Sequence, residues 1–204
     1  MQELIIKGGA LMWPLLACSV ISITIVLERI IFWLLAHLSH NQKLINQIFS
    51  LTEAGQFEQA ADSARKTQCG FCRILTAGLT HRQYGLEECM ESAASAEIAK
   101  MKRGMSVLDT IITLAPLLGI LGTVSGIIAS FDLLGEMGIQ DPKAVTGGIA
   151  QALITTAAGL SVAIVTLIPY NAFVRKVEKF THTAEKLCTH YCVTVQMGEE
   201  KRNP

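Results

Sequence analysis

Residues 114–131, LAPLLGILGTVSGIIASF, carry no charge, and this run limits the chain more than any other feature. A bilayer core holds no water to satisfy backbone N–H and C=O groups, so an uncharged segment of this length must be helical there. About 20 helical residues cross a hydrocarbon core ~30 Å thick. A helix that merely anchored a chain in lipid would be filled with Leu and Ile. This one carries Gly119, Gly122, Thr123, Ser125, Gly126 and Ser130 instead. Gly122 and Gly126 have the small-xxx-small spacing that lets a second helix backbone approach. At mid-membrane depth the Thr123 hydroxyl needs a polar partner or a wet cavity. The segment is therefore expected to be a packed membrane helix with one face toward a pore.

Two more runs are of the same kind. Residues 10–27, ALMWPLLACSVISITIVL, are uncharged and lead into Glu28-Arg29 and then IIFWLLA. That charged pair is expected near one interface, with Phe32 and Trp33 in an aromatic belt and Trp13 marking the other end. Residues 145–173 carry Gly147, Gly148, Ala152, Thr155, Thr156, Ala158, Gly159 and Ala163, the same small-residue habit. Pro116 is expected to kink the second span, because proline removes an intrahelical hydrogen bond. Gly135, Gly138 and Asp141-Pro142 are the breakers that turn the chain between the second and third spans. Composition agrees: 17% of the residues are charged, against about 25% in ordinary soluble domains, and mean hydropathy is +0.41. Seventeen basic and seventeen acidic residues cancel, so no nucleic-acid partner is expected.

Residues 41–104 are polar with helical spacing. SLTEAGQFEQAADSARK reads as two helices broken at Gly55, with Ala60, Ala61 and Ala64 packing closely, and 86–103 reads as a helix that runs straight into the second span. Such a segment makes a thin helical domain with apolar surface left for neighbours. The tail from residue 175 reads as helical, then fraying. Nine of the basic residues fall between Arg29 and Arg103 and six between Arg175 and Arg202, leaving Lys7 and Lys143 elsewhere. By the positive-inside tendency the middle segment and tail are cytoplasmic. The expected fold is all-α, with three transmembrane helices, the second and third extended into a cytoplasmic helical domain. In order, the expected divisions are a periplasmic N-terminus (1–8), a first span (9–36), a cytoplasmic helical domain (37–106), a second span (107–134), a periplasmic turn (135–144), a third span (145–174) and a cytoplasmic helix and tail (175–204). Helix over 145–194 would reach about 75 Å. The first apolar segment is read as a retained span, not a cleaved leader.

APLLGILGTVSGI, followed by GGIAQALITTAAGLSVAI and YNAF, and preceded by GGALMWPLLACSVISITIVLERI, resembles the ExbB/TolQ/MotA family of ion-driven motor proteins, nearest to ExbB. The likeness covers nearly the whole chain in order. It implies a bacterial inner-membrane complex in which five copies of this subunit, a pentamer, ring a single-span ExbD-like partner. The partner's membrane aspartate carries protons, and a TonB-like protein passes the motion to outer-membrane transport. The TolQ branch, serving the envelope, is the alternative within the family, and a passive membrane channel or scaffold is the alternative outside it. MotA-like stators have a fourth span that this sequence lacks. The resemblance maps the family's pore-lining threonines onto Thr123 and Thr156. Gln151 stands where several members have glutamate, Ser125 where some have an aromatic, and Val165 where proline often stands. Neither membrane motif then contains a carboxylate, so a titrating acid would come from the partner.

Bland readings stand beside these. Either threonine can bond its own helix carbonyl and merely permit packing, and Gln151 can be a helix–helix hydrogen-bond partner as readily as part of an ion path. Gly119, Gly122, Gly126, Gly148 and Gly159 are read as packing residues, and Asp109 as a solvated helix-end charge. Cys69 and Cys72 have CxxC spacing, and Cys188 and Cys192 flank His190, but one CxxC without a matched pair is a weak zinc signal. No metal, cofactor or catalytic residue is expected. Lys100, Lys102 and Arg103 can touch anionic lipid heads, and the simpler reading is a positive-inside flank. No Walker-type loop is present.

Overall fold

The computed structural model describes residues 8–38, 42–65, 67, 69–137 and 142–202. The expected segment 1–8 (but for Gly8), the middle of the turn 135–144 and the last two residues lie outside them. The described residues form seven helices and no strand: α1 (Met12–Leu38), α2 (Gln42–Glu53), α3 (Phe57–Arg65), α4 (Gly70–Thr80), α5 (Arg82–Lys102), α6 (Met105–Met137) and α7 (Pro142–Arg202). Three stretches, Met12–Ala36, Gly85–Asp132 and Thr146–Glu200, contain helix long and apolar enough to cross a membrane. The chain divides into two compact units, one of Met1–Arg29 with Gly104–Phe173, the other of Ile30–Arg103 with Val174–Pro204.

In the first unit α1, α6 and α7 pack through small residues. Met12, Leu15 and Ala115 are buried together, with Leu118, Ala158 and Val162 against them. Leu117, Ile120, Leu121, Val124, Ile128 and Phe131 of α6, like Leu153, Leu160, Ile164 and Ile168 of α7, stay exposed. Water would disfavour so much exposed apolar surface, whereas lipid tails are as apolar as the side chains themselves. Pro116 lies inside α6. The Arg29 side chain is 3% exposed and pairs with Glu28, which is 57% exposed. Thus only the glutamate of that expected interfacial pair is open.

The expected unbroken run from 86–103 into the second span does not occur. Arg103 and Gly104 form a turn between α5 and α6. Gly104 sits at φ +78, a left-handed conformation that favours glycine, and a Cβ there would lie 2.9 Å from Ile25 Cγ2. The break expected at Gly55 is present, with φ +74 between α2 and α3.

The second unit has its own core. Ile48, Ala60, Cys72, Ile74, Leu75, Met90 and Tyr191 are fully buried in it. Thr52 donates to the Ile48 carbonyl at 2.8 Å, so the Tyr191 phenol donates to Thr52 Oγ1 across 2.7 Å. Phe71 stacks on Phe180 at 4.5 Å, a geometry worth about 0.5–1.5 kcal/mol beyond burial. Trp33 lies under the Lys176 ammonium, 5.3 Å from ring centroid to Nζ. The tail, expected to be helical and then to fray, stays helical as far as Arg202. The reason is burial, since Ala184, Cys188, Tyr191 and Val195 fall on one face and enter this core. Gly198 continues that face, and a Cβ there would overlap the Thr52 carbonyl.

Candidate functional site

The small residues of α6 and α7 meet as an antiparallel seam. A Cβ added at Gly159 would lie 2.5 Å from the Ala115 carbonyl oxygen and 3.1 Å from Gly119 Cα. One added at Gly119 would lie 3.1 Å from Thr156 Cα, and one at Gly126 would lie 2.9 Å from the Gly148 carbonyl oxygen. A Cβ at Gly122 would overlap the Thr155 side chain, and one at Gly148 the Ser130 hydroxyl. These are largely backbone contacts, so the glycines are what bring the two helices so close. Gly148, Ala152, Thr155 and Gly159 repeat at helical spacing and form one stripe. Gly119, Gly122, Gly126 and Ser130 form the facing stripe.

Polar groups line this seam, each with its proton directed to a carbonyl. Thr156 donates to the Gly119 carbonyl across the seam at 2.9 Å. Thr123 is half-buried and donates within its own helix, to the Ile120 carbonyl at 2.6 Å. Ser130, buried, donates to the Gly126 carbonyl at 2.9 Å. A hydroxyl has one proton and two lone pairs, so Thr123 and Thr156 present acceptor capacity to anything beyond. Gln151 is half-buried, and its side-chain amide lies over Gly9, where an added Cβ would overlap it. No acid lies in residues 110–131 or 146–173. Asp109 and Asp132, at the ends of the α6 run, are exposed.

One seam residue was not singled out from the sequence. Thr155 is fully buried, and its hydroxyl lies 3.0 Å from the Gly8 carbonyl and 2.8 Å from the Gln151 carbonyl. It therefore joins the segment before α1, α7 itself and, through Gly122, α6. The signal was available in the spacing: Thr155 follows Gly148 by two turns and precedes Gly159 by one, which puts it on the seam stripe. Thr156 is rotated off that stripe by about 100°.

Five of the six cysteines belong to the second unit, apart from the seam. Cys69 precedes the first turn of α4 and is 3% exposed, and Cys72 is fully buried. Donation of its own S–H to Cys69, then burial, raises the Cys72 thiol far above its ordinary range. Burial, followed by Cys192, Glu91 and Glu87, pushes the Cys188 thiol from 9.0 up to about 11. A metal ligand must be a thiolate, and raised thiols resist becoming one. No three His, Cys, Asp or Glu side chains among the described residues converge as metal ligands would.

Comparison with known proteins identifies the family. Residues 67–186 match the model of the MotA/TolQ/ExbB proton channel family. "Putative biopolymer transport protein ExbB-like 1" of Synechocystis sp. is 38% identical over 176 residues, covering 83% of this chain and 68% of that protein. "Putative biopolymer transport protein ExbB-like 3" of the same organism is 35% identical over 173 residues, 81% of each chain. "Biopolymer transport protein ExbB" of Aquifex aeolicus is 44% identical over 92 residues, 45% of this chain and 62% of that one.

Proposed function

The chain belongs to the MotA/TolQ/ExbB proton channel family, and from that premise we propose that it is the ring-forming subunit of an inner-membrane motor driven by the proton-motive force. In this reading it forms a pentamer around an ExbD-like single-span protein and, through a TonB-like protein, energises transport across the outer membrane. Its N-terminus is periplasmic and its C-terminus cytoplasmic, as the distribution of basic residues favours.

The observation that carries the proposal is a seam rich in hydroxyls with no acid in either span. A channel element of this kind can line a proton path but cannot hold the proton. Thr123 and Thr156 direct their own protons to the Ile120 and Gly119 carbonyls. Their oxygens can then accept a hydrogen bond from a protonated carboxyl on the partner, and they offer nothing to a carboxylate without first breaking an existing bond. A ring of such oxygens favours the neutral acid while it passes through the low-dielectric core, where an isolated charge is strongly disfavoured. The membrane potential supplies about 2.3 kcal/mol per charge per 100 mV. Gln151, where an acid would add a fixed charge, keeps that end of the path neutral.

The test is co-expression with a single-span protein bearing a membrane aspartate, a mass measurement of the complex, and proton uptake by liposomes containing it. Thr123→Val and Thr156→Val are expected to leave the complex assembled and to abolish potential-driven uptake. Full uptake in both variants would refute the pore roles, and failure to recover any complex with such a partner would refute the motor.

A further inference from the structure

The end of α3 and one face of α4 enclose a cleft of about 500 Å³ in the second unit. Arg73, Thr76 and Thr80 line it from α4, stacked by helical spacing. Arg65, the last residue of α3, Thr67, between α3 and α4, and His81, which follows α4, complete its polar lining. No carboxylate lines it.

Both arginines can engage an anion. Arg65 is exposed and makes no ion pair among the described residues. Arg73 reaches Glu97 through Nη1 alone, at 3.1 and 3.3 Å, so its Nε and Nη2 keep their donors free among the described residues. Glu97 is also bonded to Lys100 at 2.6 Å. One carboxylate shared between two cations leaves that group net positive, and Arg65 adds to it. Guanidinium forks of this kind suit phosphate oxygens.

The threonines narrow the ligand further. Thr76 Oγ1 donates to the Cys72 carbonyl at 2.8 Å, and Thr80 Oγ1 donates to the Thr76 carbonyl at 2.8 Å. With those protons committed, each oxygen is left to act as an acceptor. A bare anion would satisfy the arginines and leave the threonines without a donor. We infer that the cleft binds a phosphate ester carrying free hydroxyls, with the phosphate on Arg65 and Arg73 and a ligand hydroxyl donating to Thr76 or Thr80. Glycerol phosphate has this chemistry, both as a soluble ester and as the headgroup of phosphatidylglycerol.

The full chain in phosphatidylcholine nanodiscs is titrated calorimetrically with glycerol 3-phosphate and, separately, with inorganic phosphate. In a second arm, native mass spectrometry counts phosphatidylglycerol and phosphatidylcholine retained per chain after extraction from mixed vesicles. Glycerol 3-phosphate is expected to bind at least about tenfold more tightly than inorganic phosphate, a difference of about 1.4 kcal/mol. Retention of phosphatidylglycerol alone, without binding of the soluble ester, identifies the lipid headgroup as the source. Binding of the soluble ester without retention of phosphatidylglycerol identifies a free metabolite. Arg65→Gln, which removes no structural ion pair, lowers whichever binding is seen by about tenfold. Thr80→Val, at an exposed position, removes the preference for the ester and leaves phosphate binding. Thermal melts of both variants check that the fold is intact. Equal binding of ester and phosphate, or binding indifferent to Arg65 in both arms, would overturn the assignment.

Discussion

Replacing Gly159 by Ala tests whether the seam between α6 and α7 is set by backbone contact. In an ordinary helix interior this change stabilises by about 0.5–1 kcal/mol, since Gly loses more chain entropy. Here the new Cβ would sit 2.5 Å from the Ala115 carbonyl oxygen, 3.1 Å from Gly119 Cα and 3.2 Å from Gly119 N. None of these atoms can rotate away, so relief requires the helices to separate. Overpacking of a closed contact typically costs about 1–3 kcal/mol. Separation also stretches the 2.9 Å bond from Thr156 to the Gly119 carbonyl, worth about 0.6 kcal/mol in membrane proteins. The net expectation for Gly159→Ala is destabilisation of about 0.5–3 kcal/mol. Gly135→Ala is the internal control, because nothing lies within 4 Å of a Cβ there. It should leave stability unchanged or raise it by up to about 1 kcal/mol. Detergent-solubilised chain is unfolded by increasing SDS mole fraction and followed by circular dichroism. A Gly159→Ala chain as stable as Gly135→Ala would show that the helices are not held in this register.

Two further outcomes concern the second unit. Cys188 rises from 9.0 to about 11 on folding, chiefly by burial. Its protonated form is favoured in the folded state, so its contribution is fully present below pH 9 and is lost as pH rises through 11. Stability should therefore fall more steeply between pH 9 and 11 in the native chain than in Cys188→Ala, by up to about 2–3 kcal/mol in total. Parallel curves would argue against the buried thiol. Cys69 and Cys72, 3% and 0% exposed, should resist iodoacetamide at pH 8 until the chain is denatured. Prompt alkylation of both in the native chain would show that the α4 terminus is open.

Much of the architecture was legible because it follows from strong local signals. An uncharged run long enough to cross a bilayer has few structural alternatives, and the breaker Gly55 ended α2 where its spacing placed it. The small-residue stripe was legible too, because Gly119, Gly122 and Gly126 on α6 and Gly148 and Gly159 on α7 have helical periodicity. What that periodicity left open was the division of labour between adjacent threonines. Thr155 and Thr156 are chemically identical and differ only by one step of helix rotation. Thr155 is the one buried on the seam stripe, joined to Gly8, while Thr156 reaches Gly119 from beside it.

Two boundaries were decided in the same way. The turn at Arg103 and Gly104 arises because Gly104 can adopt φ +78 and admit Ile25, a neighbour from far earlier in the chain. The persistence of α7 to Arg202 depends on Tyr191 and Val195 being buried against α2 and α3. By itself the sequence determined an all-helical chain with three membrane-length spans, a hydroxyl-bearing seam and no acid within it, since backbone satisfaction in lipid and the absence of Asp and Glu need no knowledge of neighbours. Only the tertiary structure decided which hydroxyl meets which carbonyl, where helices stop, and which basic residues share a cleft. Those outcomes turn on contacts between residues distant in sequence, whose free energies exceed the small local preferences they override.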